Sequence, residues 1–235
     1  MKDIHRATRA RLEEAFGGRV GERVALTALT TLRTGGPADW MLETSDTDDL
    51  VAAVRVTREL SLPLTVIGGG SNVLVGDGGV RGLVLRMRHG TITPVGANGV
   101  RADGGVTING LVRWTIQRGL GGLERWTGTP GTVGGAVHGN AHFDGRLLGD
   151  MVTSVGLVNR AGTVSCVPRA EMGFGYDDSR VQHTGELVLW AEFRVAPGEV
   201  RVLRTAARRS LAFRKRTQPL NHPSAGCVFQ NPRAE

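Results

Sequence analysis

Residues 64–75 read LTVIGGGSNVLV, and this stretch decides the fold that the sequence predicts. The apolar run from Leu64 to Ile67 is typical of a buried strand, and three glycines end it. Successive backbone N–H groups in such a loop can curl around an anion such as a pyrophosphate, with no side chains in the way. The spacing is not the GxGxxG of a dinucleotide-binding turn that opens a helix, because residues 73–75 are predicted to continue as strand. Taken alone, the loop is also compatible with a tight turn.

A second glycine-rich loop, GTPGTVGGA at residues 128–136, combines four glycines with two threonines and a proline. Glycine at this density costs chain entropy, so it indicates positive φ angles or a backbone that approaches a ligand closely. Two consecutive turns are the alternative interpretation. Because the loops flank one α/β unit, a shared dinucleotide accounts for both of them. The predicted cofactor contacts are Gly68, Gly69, Gly70, Ser71, Asn72, Thr129, Gly131, Thr132, Gly134 and Gly135.

The periodic segments around the loops predict an α+β fold. Predicted helices cover residues 5–16, 48–60, 108–117 and 200–216, and Asp46 or Thr47 is expected to cap the second. Predicted strands cover residues 40–43, 64–67, 73–75, 83–86 and 99–102, and then 152–159, 163–167 and 186–195, which are expected to form an antiparallel meander. The predicted domains are a lead-in at 1–30, a domain at 31–197 with subdomains 31–80 and 81–197, and an incomplete domain at 198–235.

The composition is that of a globular chain: 235 residues, 40% of them hydrophobic, can fill an ordinary core. Cys166 and Cys227 form no CxxC pair, and His138, His142 and His222 have no carboxylate or cysteine at ligand spacing. Neither a disulfide framework nor a metal site is therefore predicted. No stretch is typical of a signal peptide or a membrane span. We therefore expect a cytoplasmic protein. A monomer is also expected.

The net charge is +7, and the basic residues are spread along the chain except for one run towards the C-terminus. The basic residues there are Arg201, Arg204, Arg208, Arg209, Arg214, Lys215 and Arg216. This run could bind a phosphorylated small molecule or nucleic acid, or be a solvated helix face. Phe213 is the only aromatic residue within it, which argues against a surface that stacks on bases.

A series of short motifs connects these features along the chain. They are TLRTGGPA (31–38), GGGSN (68–72), GGLE (121–124), GTPGTVGGAV (128–137), GFGY (173–176), QP (218–219), PSAG (223–226) and NP (231–232). In this order the motifs resemble the UDP-N-acetylenolpyruvoylglucosamine reductase family, also called UDP-N-acetylmuramate dehydrogenases. The resemblance extends from about residue 30 to the last residue.

The resemblance implies an FAD-binding fold of the vanillyl-alcohol-oxidase type, in which two subdomains grip the cofactor, followed by part of an α/β substrate domain. It also implies that NADPH reduces FAD, that hydride passes to C3 of the enolpyruvyl group of a UDP-sugar, and that a proton reaches C2. The product is UDP-N-acetylmuramate, a precursor of peptidoglycan. Two alternatives keep the fold: a truncated flavin-binding homologue without turnover, since the family continues beyond the Asn-Pro motif, and an FAD-linked sugar or lactone oxidase.

Two catalytic residues follow from the resemblance. Cys227 stands after Ser-Ala-Gly, where the family usually has a serine that donates the proton, and a thiol with a pKa of about 8.5 can protonate an enolate. Where the family has an arginine after Gly-Tyr, this chain has Asp177, whose carboxylate would repel a nearby substrate carboxylate. Arg180 is the predicted replacement if residues 174–180 are helical. An ion pair of Arg180 with Asp177 or Asp178 is the alternative.

The resemblance and the charges also predict substrate contacts. Arg214 and Lys215 suit a diphosphate, the first as a bidentate fork and the second as a point charge. Tyr176 and Asn231 are the other predicted contacts. His138 and His142 occupy places where the family often has apolar or small residues, which indicates a subgroup with altered flavin contacts.

Overall fold

The computed structural model describes residues 2–219 and 221–226. The helices are α1 (Lys2–Phe16), α2 (Thr47–Glu59), α3 (Ile108–Gln117), α4 (Val133–His138), α5 (Arg180–Thr184) and α6 (Val200–Thr217). Short 3₁₀ turns lie at Gly17–Arg19, Thr27–Leu29, Glu124–Trp126, Leu148–Asp150 and Arg169–Glu171. The strands are β1 (Val20–Ala25), β2 (Pro37–Thr44), β3 (Leu64–Ile67), β4 (Val80–Met87), β5 (Ile92–Val95), β6 (Gly99–Asp103), β7 (Leu120–Gly121), β8 (His142–Phe143), β9 (Arg146–Leu147), β10 (Val152–Val158), β11 (Val164–Pro168), β12 (Leu187–Arg194) and β13 (Ala196–Pro197).

The first sheet has the strand order β1-β2-β4-β3 and presents the first glycine loop at the end of β3. Strands β3 and β4 are parallel, with Leu64 opposite Leu83, so the predicted strand at 64–67 is confirmed. Helix α2 is also confirmed, and the Asp46 side chain caps it by accepting a hydrogen bond from Asp48 N. Helices α1 and α2 pack on this sheet, with Leu12 and Leu50 fully buried in its core.

The second sheet has the order β11-β10-β12-β6-β5 and is antiparallel throughout. The predicted meander is therefore wrong, because β12 pairs with β10 and not with β11. The burial of the strands explains the difference. Five of the seven residues of β10 are buried, which suits a central strand, whereas β11 has a single buried residue and forms an edge.

The predicted strand at 73–75 is also wrong. These residues have no strand partner in the structure, and the side chain of Leu74 is 76% exposed. The segment instead lies beside Gly35 and Gly36, where Gly36 N donates to Gly76 O at 2.9 Å. A Cβ on Gly35 would lie 2.6 Å from Val75 Cβ. The segment that follows the first glycine loop can therefore pack against the TLRTGGPA segment only because position 35 has no side chain.

Helix α6 follows the second sheet and brings the basic run back towards the glycine loops. Its Leu203 and Ala207 side chains are buried in the core of the second sheet. Arg208, Arg209, Lys215 and Arg216 are exposed, while Arg214 is buried. The helix predicted at 200–216 is confirmed with one added residue. Within residues 2–219 and 221–226, we find no helix with the length and apolar character of a membrane span.

Candidate functional site

The two glycine loops, residues 68–72 and 128–135, lie directly against each other. A Cβ on Gly68 would overlap the Thr132 hydroxyl, and one on Gly69 would lie 3.1 Å from Gly131 Cα. Gly131 has φ +94°, and a Cβ there would lie 2.9 Å from Ser71 Oγ. Only glycine allows backbones to approach this closely. The structure thus brings together the two segments that the sequence pairs around one ligand.

The first loop is fixed by contacts with the segment that precedes β2. Gly70 has φ +65°, and a Cβ there would collide with the carbonyl oxygen of Leu29. Thr31 N donates to Gly70 O at 3.0 Å, and the Thr31 hydroxyl donates to the same oxygen at 3.3 Å. These bonds fix the direction of the carbonyl and leave the loop's other edge facing the second loop.

The second loop is held by the first turn of α3. Asn109 Nδ2 donates to Thr129 O at 3.1 Å, and Asn109 Oδ1 accepts from Gly128 N at 2.6 Å. Thr132 caps α4, and Gly134 N donates to Gly104 O at 2.9 Å. Gly134 therefore serves close backbone packing, since its N–H is already used. Asn109 was not predicted from the sequence. It lies in the first turn of α3, which the Thr107 side chain caps, and an amide at this position was the available signal.

Arg214 joins α6 to the second loop. It is 3% exposed, its Nη2 donates to Thr129 Oγ1 at 2.6 Å, and its guanidinium lies 3.5 Å from the ring centroid of Phe143. Burial lowers the pKa of Arg214 to about 10. Its Nε is buried without a hydrogen-bond partner, and no carboxylate of the described residues pairs with the guanidinium. A buried cation of this kind is costly unless an anion is nearby.

The turn that carries Tyr176 and Asp177 is fastened to the segment after α4. Asn140 is fully buried, and its Nδ2 donates to Gly175 O at 2.6 Å while its Oδ1 accepts from Gly149 N at 2.9 Å. The Asp177 carboxylate lies 3.0 Å from His142 Nδ1. Both residues stand at positions where the chain departs from the pattern of the family that it resembles, and the structure pairs them.

Arg180 is bound to Glu186. Its Nε donates to Glu186 Oε2 at 2.8 Å and its Nη2 to Oε1 at 3.2 Å. The expected ion pair with Asp177 or Asp178 is wrong, and residues 174–179 form a turn and not a helix, because Gly173 and Asp177 have positive φ angles of 58° and 53°. The catalytic role of Arg180 stays a prediction, and it requires the guanidinium to exchange Glu186 for substrate.

The Arg180–Glu186 pair makes a prediction about acid stability. The Arg180 guanidinium lowers the pKa of the Glu186 carboxyl below its ordinary 4.5. The contribution is therefore present in full above pH 4.5 and is lost as the pH falls through the lower folded-state value. We expect Glu186→Gln to lower the free energy of unfolding by about 1 kcal/mol at pH 7, as measured by urea denaturation. On acidification, the free energy of unfolding of the variant should fall by less than that of the wild type. Glu199→Gln removes the exposed pair with Arg201 and should change little, so equal effects would contradict the prediction.

The remaining predicted residues lie at or beyond the edge of the described chain. Lys215 is exposed on α6. Cys227 and Asn231 lie outside the described residues. Asn72 Nδ2 nevertheless donates to Ala225 O at 2.8 Å, so the PSAG motif that precedes Cys227 contacts the first glycine loop. The described residues contain no cluster of three histidine, cysteine or acidic side chains suited to a metal.

These features fit a bound dinucleotide phosphate. The two loops meet through glycine backbone, and the Arg214 cation that donates to Thr129 has no carboxylate partner among the described residues. A family model described as "FAD binding domain" matches residues 38–167 and so includes both loops. p-Cresol methylhydroxylase, 12% identical, shares the fold with a TM-score of 0.60 over 84% of this chain and 44% of its own. The chain is thus an α+β protein with an FAD-binding fold of the vanillyl-alcohol-oxidase type, as predicted.

Similar proteins show to which family within this fold class the chain belongs. The UDP-N-acetylenolpyruvoylglucosamine reductase of Lactobacillus acidophilus is 36% identical over 91% of this chain and 72% of its own length. Reductase 2 of Symbiobacterium thermophilum is 37% identical over 92% and 70%. The crystal structure of the Thermus caldophilus enzyme, at 32% identity, superposes with a TM-score of 0.77 over 91% of this chain and 75% of that one. The chain belongs to the UDP-N-acetylenolpyruvoylglucosamine reductase family, which confirms the resemblance.

Proposed function

We propose that this protein is an FAD-dependent oxidoreductase that uses NADPH to reduce UDP-N-acetylenolpyruvoylglucosamine to UDP-N-acetylmuramate, a precursor of peptidoglycan. The contact between the two glycine loops carries the proposal, because each loop requires glycine where it meets the other. Family membership supplies the reaction. The relatives carry this substrate in their names, and the chain resembles them over nine-tenths of its length.

The glycine loops hold the cofactor in this proposal. FAD, when bound, accepts hydride from NADPH and supplies it to the enolpyruvyl group. Gly68, Gly69 and Ser71 on one side and Thr129 and Gly131 on the other would border its pyrophosphate. Arg214 places a positive charge behind Thr129, where a phosphate would offset the cost of burying it.

The proton that completes the reduction is assigned to Cys227. Its thiol gives a proton to C2 of the substrate, and a thiol is a much stronger acid than an alcohol. Asn72 would position the preceding PSAG segment through Ala225. The proposed substrate contacts are Tyr176, Lys215 and Asn231, with Arg214 as a further candidate for the diphosphate. Arg180 is the candidate catalytic cation that stabilises the enolate.

The test is reconstitution of the purified chain with FAD. We expect a yellow protein that oxidises NADPH only after UDP-N-acetylenolpyruvoylglucosamine is added. Failure to take up FAD would overturn the proposal at the cofactor, and bound FAD without substrate-dependent turnover would overturn the reaction. Flavin that stays with the denatured chain would instead indicate covalent attachment, as expected for an oxidase of this fold. The domain boundaries, the cytoplasmic location and the monomeric state remain predictions.

A further inference from the structure

One side of helix α6 is exposed and strongly cationic. The exposed basic side chains of this helix are Arg201, Arg204, Arg208, Arg209, Lys215 and Arg216, and we call the surface that they form the cationic face. At 3.6 residues per turn, they lie within an arc of roughly 140° around the helix axis and along roughly 22 Å of its length. The other residues on this arc are Thr205 and Ala212, whose short side chains do not cover the cations.

The cationic face has almost no negative charge to balance it. The 18 residues of α6 include no acidic side chain. Within the described part of the chain, Arg201 alone among these cations has a carboxylate partner, Glu199 at 3.1 Å. Arg204 and Arg208 are four residues apart, and like charges at this spacing destabilise a helix. An anionic partner bound to the face would offset this repulsion.

The contacts that hold α6 in place come from the side opposite the cationic face. Leu203 and Ala207 are buried in the core of the second sheet, and Arg214 donates to Thr129. The Ser210 hydroxyl donates to a backbone carbonyl oxygen, at 2.6 Å, in the 3₁₀ turn at Glu124–Trp126. The helix is therefore fixed on the second sheet with its cations in one arrangement, and a partner does not have to order them.

Two exposed apolar side chains lie along one edge of the cationic face. Val202 is 54% exposed and Phe213 is 39% exposed. On the helix they neighbour Arg209 and Arg216, and the Arg216 guanidinium lies 6.0 Å from the Phe213 ring centroid. Phe213 also packs edge-on against Phe143, with ring centroids 5.9 Å apart. Arginine beside exposed apolar groups suits a bilayer interface, where cations meet phosphate headgroups and apolar groups enter the acyl boundary.

We propose that the cationic face of α6 binds the surface of an anionic lipid bilayer. Clusters of about four to eight basic residues on one helix are typical of segments that bind anionic headgroups. A nucleic-acid duplex has the same phosphate chemistry but no acyl boundary to receive Val202 and Phe213. A single strand would need several aromatic side chains to stack on, and Phe213 is the one aromatic residue of this helix. Apart from Lys215, no residue of the face is assigned to FAD or substrate, so the inference does not depend on the proposed reaction.

The experiment measures cosedimentation of the FAD-loaded protein with lipid vesicles in about 0.1 M salt, where the Debye length is about 10 Å. One set of vesicles contains phosphatidylglycerol and phosphatidylcholine in equal parts, and the other contains phosphatidylcholine alone. The test variant combines Arg204→Gln, Arg208→Gln and Arg209→Gln, which removes three exposed cations without carboxylate partners among the described residues.

The control variant combines Arg6→Gln, Arg58→Gln and Arg160→Gln. These arginines are also exposed, lie outside α6 and form no ion pair in the part of the chain that the structure describes. Test and control variants therefore have the same net charge and differ only in where the cations are lost. Val202→Ser is a further variant that removes an exposed apolar side chain and leaves the charge unchanged.

We expect the wild type to sediment with the phosphatidylglycerol vesicles and not with phosphatidylcholine alone. Salt at 1 M should release it, because the Debye length falls to about 3 Å. The test variant should raise the lipid concentration for half-maximal binding by about tenfold or more, and the control by less than about twofold. Val202→Ser should raise it by about threefold, since less apolar surface enters the interface.

Two results would overturn the inference. Equal weakening by the test and control variants would show that net charge alone attracts the vesicles, and a wild type that does not bind them would remove the basis of the proposal. Binding of duplex DNA that the test variant loses, under conditions in which vesicles are not bound, would assign the face to nucleic acid instead. Both triple variants should retain FAD, so each of these outcomes leaves the proposed function standing.

Discussion

Replacing Gly68 with alanine is expected to give a folded protein that no longer retains FAD. The added Cβ overlaps the Thr132 hydroxyl, and it also lies 3.1 Å from Thr132 Cγ2 and 3.2 Å from Thr132 Cβ. Thr132 is 4% exposed, so it has little room to rotate away, and the two loops must separate. We expect the free energy of unfolding to fall by about 2 kcal/mol in urea, and the Kd for FAD to rise at least about a hundredfold.

Two further variants separate this clash from a general effect of alanine. Nothing lies within 4 Å of a Cβ added at Gly78, so Gly78→Ala should bind FAD as wild type does. Adding Thr132→Ala to Gly68→Ala removes the hydroxyl and methyl groups from the clash and should restore part of the affinity. Thr132→Ala alone should cost about 1 kcal/mol through loss of the α4 cap. Full FAD binding by Gly68→Ala would show that the loops do not need this contact.

The contact between the glycine loops could be predicted from the sequence because glycine at this density costs chain entropy. Such a cost is expected where backbones must approach closely. The strand at 64–67 and helices α2, α3 and α6 were predictable for a similar reason, since their apolar periodicity is local. The strand predicted at 73–75 was wrong because a run of apolar residues does not show whether a neighbouring strand is available to pair with it. Leu74 is exposed, and the segment contacts Gly35 and Gly36 across the chain.

The candidate site was predictable as a set of residues but not as a set of contacts. Arg214 was expected to reach a diphosphate, yet it lies beneath Phe143 and bonds Thr129. The His142–Asp177 pair joins positions 35 residues apart, and the partner of Arg180 proved to be Glu186. Side-chain pairing at such distances depends on turns such as the one fastened by Asn140, and spacing in the sequence does not encode them.

Arg214→Met is expected to weaken FAD binding without lowering the free energy of unfolding of the FAD-free protein. Burial lowers the pKa of Arg214 to about 10, so at pH 7 the charged form is held at a cost. Above about pH 10 the folded chain releases this proton, whereas the unfolded chain still holds it. The cost of burying the charge therefore decreases only as the pH rises beyond that value. Methionine removes the buried charge and with it the penalty, while its apolar chain fills the part of the space that the methylene groups of Arg214 occupy.

For Arg214→Met without FAD, we expect a free energy of unfolding equal to wild type or higher by about 1 kcal/mol, measured by urea denaturation at pH 7. The Kd for FAD should rise about tenfold or more, because the phosphate loses the cation behind Thr129. Arg214→Lys keeps the charge but not the planar fork, so its affinity should lie between the two. The exposed Arg208→Met is the control and should bind FAD normally. Unchanged FAD affinity in Arg214→Met, with altered binding of the UDP-sugar alone, would assign the buried cation to the substrate diphosphate.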